Sequence, residues 1–569
     1  MREYALTKIS HRLRRMTEVR PLVIGGTLLL IGYLVVGPLI YLLQGTFLSS
    51  DGGALTNFTA AYGGDNAPEM IRNSMVYACG STLLAVATGT VLAFVNVRTN
   101  VPFKGSLVAL SVVPIIMPAV LYAPAWVFLA SPDIGVFNVG AQALIGQSPF
   151  NIYGMWGMVW IEGLHLSPIV FLFMVAAFHS MDPSLEEAAF VGGAKPMTIF
   201  RRITLPLARP ALVSGTLLVF VLAIESFEVP ALIGLKAHIY VLTSQIYYLM
   251  GLFPIDLGAA GALSIGLVVV VAIGFGLSKV TARGTGDYQT VSGKAFRPRV
   301  IELGSARPWV GGGVFLYILV TVMAPVVALI YASLLPYYQG ISTESLRSLS
   351  FDNYRFLAQS SQAWGAFRNS TLLAVASATA VMSLTTISAW FVVRSNSRGR
   401  KIVDALTLVP LVIPGLVLGL GLMFLYLRIP LPIYGTFWIL LIAYSTRFLP
   451  FGMRFMAASM QKISNELEES AYVSGATWAQ AFRRIVMPLS SPGIVAGWIF
   501  VLMVSFRELS SSILIFSPNT QVLSILIFQQ YIQGSLTVAA ATGVAMVIFL
   551  LAMIFVAAKI GARMGTKSD

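Results

Sequence analysis

The sequence predicts an all-α integral membrane protein made of two homologous six-helix halves, related by pseudo-twofold symmetry along the membrane normal. Composition is the first observation behind this prediction. Of 569 residues, 57% are hydrophobic and 11% are charged, and the mean hydropathy is +0.81. A soluble domain has about 25% charged residues. The other two observations are twelve long apolar stretches and an internal repeat, and together they indicate a chain whose outer surface faces lipid.

The apolar stretches are each long enough to cross about 30 Å of hydrocarbon at about 1.5 Å per residue. In the first half they lie near residues 21–43, 71–97, 105–130, 152–179, 208–232 and 257–280. In the second half they lie near residues 309–334, 367–393, 403–427, 433–458, 490–515 and 535–559. The first stretch is too long for the core of a signal peptide, so we expect a retained membrane helix with a cytoplasmic N-terminus.

The distribution of positive charge predicts the orientation. Alternate loops are rich in Lys and Arg, whereas the opposite loops 44–70 and 131–150 contain neither. The positive-inside rule then places both termini in the cytoplasm. The net charge of +14 is therefore explained by topology, and we expect lipid rather than nucleic acid around the chain.

An internal repeat divides the chain. Arg72-Asn73-Ser74 recurs as Arg368-Asn369-Ser370, an offset of 296 residues (368 minus 72). Pro114 and Pro118 recur at the same offset as Pro410 and Pro414, and Gly193 recurs as Gly475 at an offset of 282 (475 minus 193). We predict a first half at 1–281, a cytoplasmic linker at 282–307 and a second half at 308–569, with a pathway between the halves.

The largest inner loop of each half carries the same motif, at 184–206 and at 466–488. Both copies keep their spacing, and each reads as a short helix, a small-residue turn and a second helix. In the first half the motif residues are Glu187, Ala188, Ala189, Gly193, Ile203, Leu205 and Pro206. In the second half they are Glu469, Ser470, Ala471, Gly475, Ile485, Met487 and Pro488. A rigid element of this kind suits docking into a groove on another protein.

This doubled motif resembles the EAA loop of the permeases of binding-protein-dependent ABC importers. Over nearly the whole chain, the sequence is similar to two fused permease units, most of all to those of ferric-iron uptake. Tyr444 to Phe451 and Phe506 to Leu509 are the segments that favour iron. Thiamine, polyamine and phosphonate permeases are close relatives and remain alternatives. The resemblance implies a multi-pass protein of the bacterial inner membrane. It also implies an EAA loop that seats on an ATPase subunit in each half, and a periplasmic binding protein that delivers substrate.

The ATPase is expected to be a separate chain. The nearest approach to a phosphate-binding loop is Gly293-Lys294, where Tyr288 and Ala295 replace the required Gly and Ser or Thr. We therefore predict a chain that is not an enzyme and has no cofactor, with ATP and Mg held by two partner ATPase subunits. No metal site is predicted, since the single Cys79 excludes a cysteine-based cluster and His165 and His179 would lie about 21 Å apart on one helix.

Ionisable residues at membrane depth form the second candidate site, because such residues are costly there. Glu225 and Glu228 lie in the outer part of the fifth stretch, Arg507 and Glu508 occupy the matching part of the eleventh, and Arg447 replaces His165 of the first half. Either these charges pair and fix helix packing, or some line the translocation pathway. On the second interpretation a net negative rim favours a cationic cargo. An ion-coupled secondary transporter is the alternative class, but the doubled EAA loop has no role in it.

Overall fold

The computed structural model describes residues 19–48, 55–283, 300–395, 397 and 399–565. Within these ranges, eight helices are long and apolar enough to cross a membrane, and the number reaches eleven if each of three bent pairs forms one span. The predicted all-α integral membrane fold is therefore confirmed. The basic N-terminal segment 1–18, most of the predicted linker 282–307 and the end of the C-terminal tail lie outside the described residues.

Helices follow one another closely through the first half. The α-helices there are Val19–Phe47, Thr56–Tyr62, Ala67–Arg98, Lys104–Ile116, Ala119–Ala130, Val136–Ile145, Met155–Ser180, Ser184–Val191, Pro196–Ile199, Leu205–Glu225, Leu242–Met250 and Leu257–Arg283. Two π-helical turns at Phe200–Thr204 and Pro230–Gly234 and a 3₁₀ turn at Leu235–Ala237 complete this part.

The second half repeats much of this order. Its α-helices are Arg307–Ile318, Ala324–Ser333, Thr343–Arg347, Asp352–Gln359, Ser361–Arg394, Gly399–Leu408, Gly415–Arg428, Phe437–Met460, Asn465–Val473, Trp478–Ala481, Met487–Leu489, Ser491–Phe506, Leu523–Ile532 and Leu536–Gly565. The π-helical turns are Leu319–Met323 and Phe482–Val486, and the 3₁₀ turns are Gly304–Ala306, Val409–Leu411 and Pro518–Thr520.

The third and ninth predicted spans are broken helices rather than single rods. Lys104–Ile115 meets Ala119–Ala130 at 100°, and Gly399–Leu411 meets Gly415–Arg428 at 106°. Pro118 and Pro414 stand at the two breaks with nearly the same extended backbone, φ −57° and ψ 138° against φ −55° and ψ 144°. Proline disfavours the helical conformation in the residue before it, so the repeated prolines mark the breaks.

Two further span predictions need correction. The fifth, 208–232, ends as a helix at Glu225 because Ser226 is extended, and the eleventh, 490–515, ends as a helix at Phe506.

The tenth, 433–458, matches the helix Phe437–Met460, which is not among the eleven apolar spans of the described residues. Arg447 and Arg454 within that helix lower its hydropathy.

The described residues pack as two compact units that do not coincide with the sequence halves. One unit comprises Met1–Gly45, Gly365–Leu523 and Ile548–Asp569, and the other comprises Thr46–Trp364 and Ser524–Val547. In the former, Ile31 and Val35 of the first helix form a buried cluster with Leu449. In the latter, Tyr122 Oη donates to the carbonyl of Thr321 over 3.0 Å. The first helix of each half therefore packs within the unit formed mainly by the other half.

This exchange predicts how the chain responds to cleavage. A protease site introduced between residues 284 and 299 should yield two fragments that copurify after complete cutting, because each fragment keeps its first helix buried among the helices of the other. Size-exclusion chromatography of the cut and uncut protein in mild detergent measures this. Separation of the fragments would contradict the exchange.

Candidate functional site

The two EAA loops have the same local structure. In the first, helix Ser184–Val191 is followed by a turn at Gly193, the short helix Pro196–Ile199 and a π-helical turn that leads into the membrane helix Leu205–Glu225. In the second, helix Asn465–Val473 is followed by a turn at Gly475, helix Trp478–Ala481 and a π-helical turn. Each loop is thus a pair of short helices continuous with the next membrane helix.

Gly193 and Gly475 end the first short helix of each loop in the same way. Their φ angles are +80° and +86°, in the left-handed region that glycine adopts most readily. The amide of Gly193 donates to the carbonyl of Phe190, and the next amide donates to Ala189; Gly475 and its neighbour repeat both bonds. This is the Schellman arrangement, in which a left-handed residue satisfies the last carbonyls of a helix. A Cβ on either glycine would meet no atom within 4 Å in the described chain.

The outward face of each short helix is apolar as well as acidic. Glu187 and Ala188 are exposed, as are Glu469 and Ser470. Beside them, at matching positions, large apolar side chains are also exposed: Leu185 (54%), Phe190 (53%) and Val191 (86%) in the first loop, and Leu467 (46%), Tyr472 (39%) and Val473 (89%) in the second. The spacing of the motif does not reveal these side chains. Solvated apolar residues clustered on a helix are typical of a surface that receives a partner.

The remaining motif residues lie closer to the body of the protein. Ala189, Ile203 and Leu205 are half-buried, and Pro206 is exposed. Ala471 and Ile485 are likewise half-buried in the second loop, whereas Met487 and Pro488 are exposed. The half-buried positions thus lie toward the body of the protein, whereas Pro206, Met487 and Pro488 remain on the surface.

A buried carboxylate stands directly before each motif glutamate. Glu186 is 6% exposed and Glu468 is 5% exposed. Each forms an ion pair with the arginine that ends the second membrane helix of its half: Arg98 Nη1 lies 3.1 Å from Glu186 Oε2, and Arg394 Nε lies 3.0 Å from Glu468 Oε1. The signals in the sequence were the two Glu-Glu pairs and the recurrence of Arg98 as Arg394, but they do not reveal which glutamate is buried.

The described end of the predicted linker, from Val300 onward, joins the base of the first loop. Ile301 donates its amide to the carbonyl of Arg98 over 2.8 Å and accepts from the amide of Asn100 over 3.2 Å. A cavity of 370 Å³ lies there, lined by Val300 to Glu302 together with Phe94, Arg98, Glu186 and Thr204. The first loop is therefore held by the second membrane helix and faces the chain that enters the second half.

Among the membrane-embedded charges, those of the first half gather beside the end of helix Leu205–Glu225. Tyr77 Oη donates to Ser226 Oγ over 3.3 Å. Glu162 lies near both hydroxyls and interacts electrostatically with Glu228. Glu162 is 3% exposed, and within the described chain its Oε2 has no hydrogen-bond partner. Glu225, the last residue of the helix, is 8% exposed.

The charges of the second half are engaged with the backbone. Arg447 Nη1 donates to the carbonyl of Ile413 over 2.7 Å, at the break before Pro414. Glu508 Oε1 accepts from the amide and the hydroxyl of Ser511, both at 2.9 Å. Arg507 follows the last residue of helix Ser491–Phe506 and is half-buried. Arg447 and Glu508 thus form hydrogen bonds to the irregular chain beside the broken helices.

The two halves differ at these positions. At an offset of 282 residues, Glu162, Glu225 and Glu228 correspond to Tyr444, Arg507 and Ser510, and Ser226 corresponds to Glu508. The first half therefore holds three carboxylates where the second holds one. Across the described residues, no three His, Cys, Asp or Glu side chains are arranged to hold a metal ion. The carboxylates of the first half form an acidic environment and not a closed metal site.

Comparison with known proteins identifies the family. The sequence profile described as "Binding-protein-dependent transport system inner membrane component" matches twice, at residues 85–287 and 381–565. The chain belongs to this family. Because the family domain occurs twice, the protein is a fused two-domain permease, as the resemblance implied, and an integral inner-membrane protein. A transport component of this kind is not a catalytic enzyme.

Two relatives align with most of the length of this permease. A "Ferric transport system permease protein FbpB" from Actinobacillus pleuropneumoniae is 25% identical over 97% of this chain and 80% of its own. A "Putative ferric transport system permease protein FbpB 1" from Haemophilus influenzae is 26% identical over 87% of this chain and 78% of its own. Among solved structures, a bacterial ABC transporter for alginate import aligns with 46% of this permease and 97% of its own chain, at 21% identity and a TM-score of 0.38.

Proposed function

We propose that this permease is the membrane subunit of an ATP-driven importer that passes ferric iron from a periplasmic binding protein to the cytoplasm. The paired EAA loops carry the proposal, because both copies present the same exposed apolar and acidic face on the same glycine-terminated helix. Two equivalent surfaces in one chain suit two identical partners. The two relatives that align with most of this chain are named as ferric transport permeases, which supports iron as the cargo.

Each EAA loop is proposed to seat one ATPase subunit. The exposed Phe190 and Val191, with Tyr472 and Val473 in the second loop, would enter an apolar groove of the ATPase, and Glu187 and Glu469 would meet its polar rim. ATP and Mg would be bound by the ATPase subunits, and the permease would hold no cofactor. The loops and both termini would then lie in the cytoplasm, and the binding protein would dock at the opposite face.

The carboxylates of the first half are proposed to attract the cation during its passage. Glu162 and Glu228, with the hydroxyls of Tyr77 and Ser226, offer oxygen atoms, which hard cations prefer. A transport pathway must bind its cargo weakly enough to release it. An acidic environment without a closed set of ligands meets that requirement. Four further residues are proposed to line the pathway, with a smaller contribution than Glu162 and Glu228: Glu225, Arg447, Arg507 and Glu508.

Reconstituted transport tests the proposal. The permease would be inserted into liposomes with the ATPase and the binding protein encoded beside it, and uptake of radiolabelled Fe³⁺ delivered by the binding protein would be measured with and without ATP. We expect ATP-dependent iron uptake, and none of thiamine, polyamine or phosphonate under the same conditions. Uptake of one of these cargoes instead of iron would refute the iron assignment but keep the importer class, whereas uptake driven by an ion gradient without ATP would refute both.

The stoichiometry of the complex is a separate prediction. Because one chain carries both loops, one copy of the permease should bind two ATPase subunits, and the purified permease alone should hydrolyse no ATP. Native mass spectrometry of the purified complex and an ATPase assay of the isolated permease measure the two points. A stable assembly with two permease chains, or ATP hydrolysis by the isolated chain, would contradict them.

A further inference from the structure

A buried ion pair joins each EAA loop to the second membrane helix of its half. Arg98 is the last residue of helix Ala67–Arg98, and Arg394 is the last residue of helix Ser361–Arg394. The side chains of Arg98 and Glu186 are 1% and 7% exposed, and those of Arg394 and Glu468 are 10% and 7% exposed. Ion pairs this well buried hold their geometry, because breaking one leaves an uncompensated charge away from water.

Each buried carboxylate also accepts a second hydrogen bond, from a different position in each half. In the first half, Thr204 Oγ1 donates to Glu186 Oε1 over 2.7 Å. In the second, Trp390 Nε1 donates to Glu468 Oε2 over 3.0 Å. The residue that corresponds to Thr204 is Val486, and the residue that corresponds to Trp390 is Phe94. Each half thus has a side-chain donor where the other has an apolar residue.

This exchange of donors shows what the site requires. Thr204 approaches the carboxylate from the π-helical turn of its own loop, whereas Trp390 approaches from the membrane helix. The two halves share the carboxylate, the arginine and the presence of a second donor, but not the donor itself. The common requirement is a buried carboxylate that binds both an arginine and a second side-chain donor at the junction of loop and helix.

The arginines extend the same connection. Arg98 Nη2 contacts Met181 Sδ over 3.4 Å, and Arg394 Nη2 donates to the carbonyl of Ile463, the residue that corresponds to Met181, over 2.7 Å. Met181 and Ile463 lie just before the short helices that bear the exposed faces. Each arginine therefore joins the end of its membrane helix to both the start and the first short helix of the loop.

We propose that Glu186 and Glu468 are positioning residues through which the movement of each EAA loop is passed to the membrane helix ending at Arg98 or Arg394, with Thr204 and Trp390 as interchangeable second donors. The inference rests on the proposed coupling function of the loops. In each Glu-Glu pair the first glutamate, Glu186 or Glu468, faces inward and passes on the movement of the loop. The second, Glu187 or Glu469, faces outward toward the ATPase. Neither positioning residue touches the cargo or ATP.

An exchange of donors between the halves tests the proposal. Thr204→Val removes the second donor of the first half, and Phe94→Trp supplies an indole where the second half has Trp390. Phe94 and Thr204 both line the 370 Å³ cavity beside Glu186. The measurement is iron uptake per ATP hydrolysed, in liposomes that contain the permease, its ATPase and the binding protein.

We expect Thr204→Val to lower uptake per ATP by about tenfold, since a hydrogen bond to a buried carboxylate is lost. The double variant Phe94→Trp with Thr204→Val should recover most of the wild-type ratio, while the amount of inserted protein stays constant throughout. Rescue of this kind is not expected from a merely structural role. An unchanged ratio in Thr204→Val, a fall of uptake and ATP hydrolysis in equal proportion, or a double variant no better than the single one would each overturn the proposal.

A second pair of variants separates this inference from the proposed function. Glu187→Ala with Glu469→Ala alters only exposed residues and should weaken copurification of the ATPase. If that variant kept full ATPase binding and uptake, the loops would not be the docking elements, and the proposed function would fail. If it were impaired while Glu186→Gln with Glu468→Gln kept the wild-type uptake per ATP, only the transmission through the buried pairs would be refuted.

Discussion

Replacing Gly193 and Gly475 together with leucine should reduce ATP-dependent uptake at least tenfold while the permease remains inserted in the membrane. Both glycines have left-handed φ angles, +80° and +86°. A side chain in that region costs about 1–2 kcal/mol per residue, which is a factor of roughly 5–30 in the local equilibrium. The strain would reorient the exposed helix that ends at each glycine, so the surface offered to the ATPase would change.

A series of substitutions shows what the glycines provide. Since a Cβ at either position would meet open space in the described chain, alanine and leucine impose the same backbone strain. Asparagine tolerates the left-handed region and should retain the most uptake. If the ATPase packs against the bare Cα atoms, leucine should be much worse than alanine. Equal losses with alanine and leucine would show that the glycines serve the helix end alone.

The chain offers a matched control for backbone strain. Gly146 and Gly534 also have positive φ angles, +68° and +84°, with open space around the Cβ position, and they lie outside the EAA loops. Gly146→Leu with Gly534→Leu should keep ATPase copurification at the wild-type level. Full uptake in the Gly193→Leu, Gly475→Leu variant with normal ATPase binding would remove the EAA loops from the coupling mechanism.

The second large effect is expected at the membrane-embedded carboxylates. Glu162→Gln and Glu228→Gln should each lower ferric uptake by about tenfold, while protein insertion and the ATPase activity stimulated by the binding protein stay intact. Glutamine nearly preserves the size of the side chain but replaces one acceptor oxygen by an NH2 donor and removes the carboxylate that attracts a cation. Charges act strongly at such sites because the surroundings screen them little, and tenfold corresponds to about 1.4 kcal/mol.

Further variants distinguish attraction of the cargo from helix packing. Glu225→Gln and Glu508→Gln test the remaining carboxylates, and we expect a smaller effect at Glu508, whose Oε1 already accepts two bonds from Ser511. Glu69→Gln is the matched control, since Glu69 is 62% exposed and pairs only with the exposed Arg72 in the described chain. Unchanged iron uptake in the variants of Glu162, Glu225, Glu228 and Glu508 would exclude these carboxylates from the pathway, and loss of protein in each would assign them to packing.

Membrane class, repeat and loop position were determined by the sequence because each is a local or additive property. Hydropathy sums over a window, so a chain with 11% charged residues is recognisable at once. The EAA spacing recurs residue for residue, and Gly193 and Gly475 take the same left-handed turn in both copies. A short motif with its own hydrogen bonds forms its turn from neighbouring residues alone.

Tertiary structure decided where the apolar stretches break and which side chains meet. The stretch 105–130 is apolar throughout, so hydropathy could not distinguish one span from two arms at 100°, although the repeated Pro118 lay at the break. Likewise, Glu186 and Glu187 are adjacent in the sequence but point about 100° apart around a helix. Arg98, 88 residues earlier in the chain, lies beside Glu186 in the tertiary structure. Glu186 is therefore buried and paired, whereas Glu187 is left exposed to a partner.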